Sequence, residues 1–589
     1  MAHQNRGSSA GKAKVFFAVI GLFVIAILPR VIGVDYGYFH GDERIGDAAK
    51  VLAGQLVPGQ HFYPPLINYV NAIAFLLLYG FGVLVGLWSD TGGFRAAFFA
   101  DPTLFYVAAR LMTAAIGALM APLFFAAARG RGVPLHAAIL AGLLGALLPL
   151  SIFMAHIAKG DAALATASVL VGLLFLARHN RENAPGLDIA LGLAVALALS
   201  FKHSFLFILA PLFLCHLALL LAEIGFRAGM KSLGRGLLAL FIVWPILNIG
   251  ILLDFSNFLA FQKIQAVMSI RADQDLRVAF DLLYQRALDL PTGITPVALG
   301  LWVAFPLYLL LPVCRLKGRL ALALLWLSVL LSFVIMLPMV GGRQPEHLWL
   351  PQFSLMFLMV ALMVADLFRA EVAIRRFSGA ILALAIVIPS LVGTARILDE
   401  ALAAPIRTEL SELLERDFAE VRVFTTTALD LPQSKAARAW EVARLERLAR
   451  KYAIEIPEEA PERKALRDVE NGYYFINAPG VMFGLEEASD EDLKGKVQAY
   501  AWPLQPEEWK LDFWFDQDIS VFVVSNLPYH LNDTPSAVFR GFYVELVARC
   551  EVHAEIKARK KLFLENDLSV MVCATRDTQS SSEGLETDR

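Results

Sequence analysis

The chain has 589 residues, of which 57% are hydrophobic and 18% are charged, and its mean hydropathy is +0.58. Ordinary globular domains are roughly 45–50% apolar, so this composition indicates an integral membrane protein. The formal net charge of -2 excludes a global basic field that would attract nucleic acid, and any electrostatic steering has to be local. The 4 cysteines form no Cys/His cluster that would indicate structural zinc.

Apolar segments with few charges, each near the roughly 20 residues that cross a bilayer, follow one another along most of the chain. They cover about residues 14–32, 66–88, 104–128, 136–155, 162–178, 187–201, 204–222, 237–253, 296–313, 320–338, 347–367 and 379–394. The first segment follows Arg6, Lys12 and Lys14 and has no small-residue cleavage site before Pro29. This pattern predicts a retained signal anchor.

Basic clusters between these segments determine the predicted topology, because short basic loops favour the cytoplasmic side. They are the N-terminal tail, Arg129–Arg131, Arg178–Arg181, Arg227–Arg235, Arg315–Arg319 and Arg369–Arg376. If segment 66–88 crossed the bilayer, every later cluster would be outside. If it lies in the outer interface, all six clusters are cytoplasmic. We therefore predict an α-helical polytopic membrane protein of about eleven spans, with interfacial helices in the first outer loop and the C-terminus outside.

The C-terminal region is richer in charged residues than the apolar segments before it, and this composition predicts a separate soluble domain. We expect a transmembrane domain over 1–394 and an outer α/β domain with a disordered tail over 395–589. Dense charges with helical spacing run from Arg407 to Lys451, and short β segments are predicted at Gly472–Ile476, Ile519–Ser525 and Leu568–Ala574. An outer compartment permits a disulfide, for which Cys550 and Cys573 are the intradomain pair, with two buried free thiols as the alternative.

In this topology the predicted outer loops collect the unusual polar residues. They contain Tyr63-Pro-Pro-Leu, Lys159-Gly-Asp161, Lys202-His203 and the loop from Arg343 to His347. Ionisable residues that converge on one face of an apolar bundle favour a catalytic cavity over a conduction path.

Asp42 and Glu43 stand at the start of a predicted helix over 43–52. As acids there, they would stabilise the exposed backbone amides, which is the simplest interpretation. The functional alternative is that Asp42 is a general base that deprotonates an acceptor hydroxyl. Glu43 and Asp47 are four residues apart and share a helix face, so they could bind a divalent cation or be solvated.

Asp161 lies where one span turns into the next, and a carboxylate there is costly unless it is paired, hydrated or used. Lys159 could be its structural partner, or Asp161 could be a second active-site carboxylate. Lys202 could extend to the interface from a span end, or it could contact a lipid phosphate. His203 is a weaker candidate for the same role.

Two further outer loops carry basic residues. Arg343 and His347 could hold phosphate or face solvent. The charged series in the 254–295 loop is most simply a solvated helical surface, and a substrate lid is the alternative. Its members are Arg271, Asp273, Asp275, Arg277, Asp281 and Arg286.

The order of these motifs resembles the family 39 glycosyltransferases of the glycosyltransferase C superfamily, which include protein O-mannosyltransferases and lipid A aminoarabinose or galacturonic acid transferases. The resemblance covers about 35–370, and more loosely the C-terminal domain. It rests on Asp42-Glu43 after the first span, Tyr63-Pro-Pro-Leu, Arg110-Leu, Asp161, Phe201-Lys202 and the Arg343 to Pro351 segment. The family pattern has threonine-lysine and arginine-tyrosine where this chain has Phe201-Lys202 and His347-Leu348-Trp349.

The resemblance implies a transferase whose donor is a sugar on a polyprenyl phosphate, and no Rossmann or phosphate-binding-loop fingerprint is present. In this interpretation Asp42 is the base, Asp161 a supporting acid and Lys202 a phosphate contact, and a single displacement inverts the anomeric centre. Glu43, Tyr63, Lys159, His203, Arg343 and His347 would bind substrate.

Some members of the superfamily use a divalent metal, for which Asp42, Glu43 and Asp161 are the candidate ligands. The acceptor would be an envelope glycolipid, a glycan or a protein hydroxyl. The expected location is a bacterial inner membrane, with the N-terminus cytoplasmic and the C-terminal domain periplasmic. A transporter or flippase of a lipid-linked glycan is the alternative from another class. A transporter should favour repeated halves, and the sequence contains no clear internal repeat.

Overall fold

The computed structural model describes residues 9–37, 42–59, 61–181, 184–269, 277, 281, 284, 294–340, 346–419, 421–425, 434–453, 475–477, 506–532, 537–563 and 565–574. The chain divides into two compact units. The first contains Met1–Asp35, His40–Leu87 and Thr103–Leu402, and the second contains Tyr36–Phe39, Trp88–Pro102 and Ala403–Arg589. The expected domain boundary at 394/395 stays a prediction.

Long apolar helices make up most of the first unit. In chain order the helices as far as residue 402 are α1 (Ser9–Val31), α2 (Ile45–Leu52), α3 (Leu66–Leu84), α4 (Thr91–Ala100), α5 (Thr103–Ala118), α6 (Met120–Gly130), α7 (Leu135–Ala146), α8 (Pro149–Ala155), α9 (Gly160–Arg178), α10 (Pro185–Phe201), α11 (Leu206–Leu247), α12 (Ile249–Leu253), α13 (Phe255–Ser269), α14 (Pro296–Leu310), α15 (Arg319–Val340), α16 (Leu350–Phe368) and α17 (Ala373–Leu402). Of these, α4 belongs to the second unit. Short 3₁₀ helices, His203–Phe205 and Glu346–Trp349, precede α11 and α16.

Among the described residues, 8 helices are long and apolar enough to cross a membrane, or 9 if the bent pair α7 and α8 is one span. Helices α10 and α14 are shorter and also apolar. A membrane protein of the predicted helical class is thus confirmed. The figure of about eleven spans stays a prediction, because these criteria use length and composition only.

Helix α11 is a hairpin rather than one long rod. Gly225 has φ 75° and ψ 171°, which interrupts the helix. A β carbon at Gly229 would lie 3.3 Å from the Leu220 carbonyl, although nine residues of straight helix would separate them by about 13.5 Å. The chain therefore turns back at Gly225, as the separate apolar segments 204–222 and 237–253 predict.

The basic loops meet at one end of the bundle, which we call the basic end. The Arg131 guanidinium donates to the carbonyls of Lys317 (3.2 Å) and Leu176 (2.8 Å), and Arg369 donates to the carbonyl of Gly132 (2.7 Å). Asp188 accepts from Arg235 (3.0 Å) and from Arg178. These contacts join the loops after α6, α9, α14 and α16 and the α11 hairpin, so they share one side, as the charge pattern predicts.

Helix α3 passes the length and hydropathy test for a span, but the path of the chain argues against a complete crossing. The preceding apolar segment, α1, ends on the side opposite the basic end. There the carbonyls of Ile32 and Val34 accept from His156 (2.9 Å) and Arg110 (3.1 Å). Arg110 lies about two turns into the apolar helix Thr103–Gly130, and Arg131 at the far end of that helix lies at the basic end, so α5 begins on the same side as the end of α1. A full crossing by α3 would need a return through 85–102, where the one described helix, α4, has 10 residues against the roughly 20 required.

The second unit has a mixed five-stranded sheet in the order β2-β1-β3-β5-β4. Its strands are β1 (Arg422–Thr425), β2 (Phe475–Asn477), β3 (Ile519–Ser525), β4 (Cys550–Ile556) and β5 (Leu568–Cys573). Strand β1 is parallel to β2 and β3, and β5 is antiparallel to β3 and β4. Its helices are α4 and α18 (Ile406–Asp417), α19 (Lys435–Tyr452), α20 (Leu511–Phe515), α21 (Leu527–Asn532) and α22 (Ala537–Arg549), with 3₁₀ turns at Pro506–Trp509 and Lys561–Phe563.

Both faces of the central strand β3 are covered. Phe522 and Val524 pack into a cluster around Trp514, while Val521 and Val523 pack against Leu414 and its neighbours. Alternate residues of a strand point to opposite faces, so a nearly continuous apolar strand indicates helices on both sides. The predicted α/β class is confirmed.

Some details of the second unit differ from the sequence prediction. Strands near Ile519–Ser525 and Leu568–Ala574 are present, whereas β1, inside the charged helical run, and β4 are additional. The first residues of the predicted 472–476 segment lie outside the described residues. Cys550 and Cys573 face each other across β4 and β5 and form a disulfide, while Cys215 and Cys314 are buried free thiols.

Candidate functional site

The site lies at the end of the first unit opposite the basic end. It is built from the loop before α2, the Tyr63 turn before α3, the turn between α8 and α9, the end of α10 and the 3₁₀ helix before α16. Helices α9 and α10 approach closely here, because a β carbon at Gly160 would lie 2.7 Å from the Phe201 carbonyl oxygen. Glycine at 160 lets Asp161, in the first turn of α9, reach Lys202, the residue that follows α10.

Lys159 is the hub of the site. Its ammonium Nζ lies 2.7 Å from Asp42 Oδ2, 3.2 Å from His347 Nε2 and 3.7 Å from Asp161 Oδ2. Asp42 and His347 lie within hydrogen-bond distance of the ammonium, whereas Asp161 Oδ2 is at ion-pair distance, and the three groups come from three separate segments of the chain. His347 Nε2 is the acceptor in this contact, which assigns the ring proton of the neutral imidazole to Nδ1. The Lys159 side chain is 3% exposed, so the ammonium is stabilised by these partners rather than by water.

Lys202 holds the second carboxylate. Its Nζ lies 2.7 Å from Asp161 Oδ1, and the Asp161 side chain is 1% exposed. Asp161 Oδ2 is buried and accepts no hydrogen bond among the described residues. The two ammonium groups lie 5.1 and 5.5 Å from the centre of the Tyr63 ring, within the range of cation–π attraction. Two lysines therefore neutralise two aspartates beside one aromatic face.

Burial and charge act in opposite directions on Lys159. Burial lowers the pKa of its ammonium, but Asp161, Tyr63 and Asp42 together outweigh burial and raise the pKa above its usual value. Burial raises the pKa of the Tyr63 hydroxyl to about 12, against a smaller opposing effect of Lys159. Lys159 therefore remains a cation and Tyr63 a neutral phenol near pH 7.

Asp42 is the accessible acid of the site, with a side chain that is 40% exposed. Helix α2 begins at Ile45 with Arg44 as its N-cap residue, so neither Asp42 nor Glu43 is the N-cap residue. The pairing with Lys159 connects Asp42 to a loop 117 residues away.

Glu43 has a different environment from its neighbour. Its carboxylate receives a bidentate contact from Arg110, Nε to Oε1 at 2.7 Å and Nη2 to Oε2 at 2.6 Å, and Oε1 also accepts from the backbone N–H of Ala158 at 2.8 Å. Both side chains of the pair are almost fully buried. Glu43 therefore joins the loop that carries Asp42 to the turn that carries Lys159, and its carboxylate is directed into the protein rather than towards a substrate.

The residues present do not fit a divalent metal. In the described part of the chain, no group of three or more His, Cys, Asp or Glu residues could hold a metal ion. Asp42 and Asp161 each contact an ammonium and Glu43 a guanidinium, so cations of the protein occupy the proposed ligands. Asp47 contacts Lys50 and the N–H of Gly59 instead of sharing a cation with Glu43.

Of the other predicted site residues, the structure brings some into the cluster and leaves others outside it. His347 joins the Lys159 cluster, whereas Arg343 lies outside the described residues. His203 Nε2 is buried and forms no hydrogen bond with described residues, and its ring packs 5.4 Å from Phe258. Of the 254–295 charged series, Arg277 and Asp281 are described, as isolated helical positions.

Two residues that support the site, Arg110 and Gly160, are not assigned this role by the sequence. Arg110 was part of a motif, but its pairing with Glu43 was not predicted, although an arginine inside an apolar segment is itself a signal for a buried partner. Gly160 was not distinguished from other small residues in apolar sequence. Its role depends on the Phe201 carbonyl, which no local pattern reveals.

Comparison with solved structures finds alignments that cover most of the chain at low sequence identity. ArnT from Cupriavidus metallidurans in the apo state is 12% identical with a TM-score of 0.48, over 96% of this chain and 98% of that one. The same protein bound to undecaprenyl phosphate is 13% identical with a TM-score of 0.44, over 94% and 97%. The archaeal oligosaccharyltransferase AglB from Archaeoglobus fulgidus, in complex with an inhibitory peptide and a dolichol-phosphate, is 12% identical with a TM-score of 0.39, over 89% and 70%.

No protein-family description matches the chain, and no curated protein matches it. We therefore infer function from the side chains of the site.

Proposed function

We propose that the protein is a membrane glycosyltransferase that moves a sugar from a polyprenyl-phosphate donor to a hydroxyl of an envelope glycolipid, glycan or protein. The observation that carries the proposal is the Asp42–Lys159–Asp161–Lys202 cluster at one end of an apolar bundle. Paired carboxylates and ammonium groups beside an accessible aspartate supply the base and the cations that such a transfer requires.

In the proposed reaction, the Asp42 carboxylate takes the proton of the acceptor hydroxyl. The hydroxyl oxygen forms a bond to the anomeric carbon while the bond from that carbon to the phosphate oxygen breaks. The leaving phosphate keeps the electron pair, and Lys202 and Lys159 stabilise its growing negative charge. Attack from the face opposite the phosphate inverts the anomeric centre.

Asp161 has a supporting role in this scheme. Its buried carboxylate holds Lys202 directly and lies 3.7 Å from Lys159, so it keeps both ammonium groups near the place where the phosphate would leave. Removing it would leave two buried cations with one fewer counter-charge, which is costly.

We place the site on the outer face of a bacterial inner membrane, with the basic end cytoplasmic and the 395–589 domain periplasmic. Support comes from the arrangement of charge, because the basic loops share one end of the bundle and the site lies at the other. In this orientation the donor lipid reaches the site through the bilayer, and the acceptor arrives from the periplasm.

The test compares envelope glycolipids, glycans and glycoproteins by mass spectrometry in cells with the intact protein, without it, and with Asp42→Asn. We expect the deletion to remove one sugar modification and Asp42→Asn to fail to restore it at normal protein levels. General base catalysis contributes typically 10²–10⁴-fold, so the variant should retain about 1% of activity or less.

Asp47→Asn is the matched control, because it changes an acid five residues after Asp42, in the first turn of α2, that contacts Lys50 and Gly59 outside the cluster. It should restore the modification. Full restoration by Asp42→Asn would refute the assignment of the base. Loss of transported lipid-linked glycan, with no missing sugar transfer in membrane extracts, would favour a flippase instead.

A further inference from the structure

A groove lined by apolar residues and one arginine lies at the basic end, at the opposite end of the first unit from the Lys159 cluster. It is a groove of about 630 Å³ between the end of α16 and the first turns of α17. Its lining consists of Phe368, Ala373, Ile374, Arg376, Phe377 and Ala380. Apart from Arg376, these residues are apolar.

The close crossing of two helices creates the groove. A β carbon at Gly379 would lie 2.6 Å from the Phe368 backbone nitrogen, so α17 touches the backbone of α16 at this point. The turn 369–372 is fixed at its start, because Arg369 donates to the Gly132 carbonyl. The residues of α17 before Gly379 and the Phe368 side chain together line the groove.

An apolar stripe continues from the groove along α17. Ile374, Phe377, Ile381, Leu384 and Ile388 are all exposed and recur at helical spacing on one face. The stripe is about 21 Å long, which exceeds half of the roughly 30 Å hydrocarbon core. An acyl chain that begins in the groove can lie along this stripe within one leaflet.

The charges at the start of α17 favour an anionic headgroup. Arg376 lines the groove and Arg375 precedes it in the first turn of α17, which contains no acid, and both are exposed. The N-terminus of a helix carries partial positive charge, so it adds to the attraction of these two arginines for an anion. Exposed Glu371 precedes the helix, and the Arg376 guanidinium lies 5.7 Å from the Phe368 ring.

We infer that this groove binds one anionic phospholipid, with its phosphate on Arg375 and Arg376, its glycerol region at Phe368 and an acyl chain along the α17 stripe. A guanidinium binds phosphate in a bidentate manner, and basic pockets between membrane helices recognise anionic headgroups. This inference is independent of the proposed transferase reaction.

The test uses the full chain purified in neutral detergent and titrated with phosphatidylglycerol or zwitterionic phosphatidylethanolamine, with bound lipid counted by native mass spectrometry. We expect one tightly bound phosphatidylglycerol and no comparable phosphatidylethanolamine. In R375Q/R376Q, affinity for phosphatidylglycerol should fall about 30-fold, because the variant loses the attraction of two arginines for the anionic headgroup.

R227Q/K231Q is the control, because it removes two exposed charges from the α11 hairpin at the same basic end. It should bind phosphatidylglycerol with an affinity within about three-fold of that of the unchanged protein. Equal losses in both variants would show general attraction and overturn the inference. Retention of the lipid by R375Q/R376Q, or a dimer that covers the stripe without lipid, would also overturn it.

Discussion

At the scale of residues, the site is defined by which cation holds which acid. The sequence suggests a local pair between Lys159 and Asp161, two residues apart. In the structure the short contacts join Lys159 to Asp42 and Lys202 to Asp161, at 2.7 Å each, while Lys159 and Asp161 are 3.7 Å apart. Each aspartate therefore has a principal cation from another segment, and this crossed pairing links three parts of the chain.

The raised pKa of Lys159 leads to a prediction about stability and pH. A lysine whose folded pKa is raised stabilises the protein fully below its unfolded value, near 10.4, and loses this contribution only as pH rises through the folded pKa. Between pH 6 and 9 the ammonium should remain charged. Lys159→Arg, which is always charged, should therefore show the same pH dependence of Tm as the unchanged protein over this range.

Thermal unfolding in detergent at several pH values measures this directly. The arginine fork can shift Tm by a constant amount, so the informative quantity is the difference between the two proteins at each pH. A difference that grows in favour of Lys159→Arg as pH approaches 9 would mean that Lys159 loses its proton there, contrary to the prediction.

At the scale of elements, the turn between α8 and α9 is the part that positions the site. Ala158 donates to Glu43, His156 bonds to the Ile32 carbonyl, and Gly160 touches the Phe201 carbonyl. These contacts fix the turn against α1, the Asp42 loop and α10. Hydropathy predicted both flanking helices, but the contacts depend on where their neighbours pack.

Gly160→Ala tests the close approach of α9 and α10. The added methyl group would lie 2.7 Å from the Phe201 carbonyl oxygen, so one helix has to move, and overpacking of this kind costs typically 1–3 kcal/mol. We expect a lower Tm and reduced sugar transfer, because movement of α9 separates Asp161 from Lys202.

Gly186→Ala is the matched control, since it lies in the first turn of α10 and has no atom within 4 Å of the added carbon. Alanine is favoured over glycine in a helix by about 1 kcal/mol, so this variant should be as stable as the unchanged protein or slightly more. Unchanged transfer and Tm in Gly160→Ala would contradict the role given to the approach.

At the scale of the whole molecule, charge separates the two ends of the membrane unit. The basic loops that the sequence groups by the positive-inside rule are joined by contacts such as Arg131 to Lys317 and Arg369 to Gly132. The acids of the proposed site lie at the other end. This separation of charge is the basis of the proposed orientation in the membrane.

Single cysteines can test this orientation. Gln55→Cys would place an exposed thiol in the loop near the site, and Lys231→Cys would place one at the basic end. In spheroplasts, a membrane-impermeant maleimide should label Gln55→Cys, while Lys231→Cys should be labelled only after lysis. Native Cys215 and Cys314 are buried, and the unchanged protein measures their background. The reverse labelling pattern would invert the topology.

The sequence predicted the helices of the membrane unit better than the contacts of the site. Hydropathy and charge predicted most apolar helices, the α11 hairpin as two segments, and the common side of the basic loops. They succeed because transfer into lipid is a local property that adds up along a segment. Strand β1 was missed because its four residues lie inside a charged run with helical spacing, and β4 because its sequence is mostly polar and exposed. Both strands gain their place from neighbouring strands.

The amino-acid sequence by itself determined that this is a helical membrane protein with basic loops on one side and a small set of ionisable residues on the other. Tertiary structure decided how those residues are used: Glu43 is buried against Arg110, Asp42 is accessible beside Lys159, and Asp161 holds Lys202. Ion pairing depends on distances between segments up to 117 residues apart, and burial of each charge depends on every helix around it. Composition records which charges exist, whereas packing selects their partners.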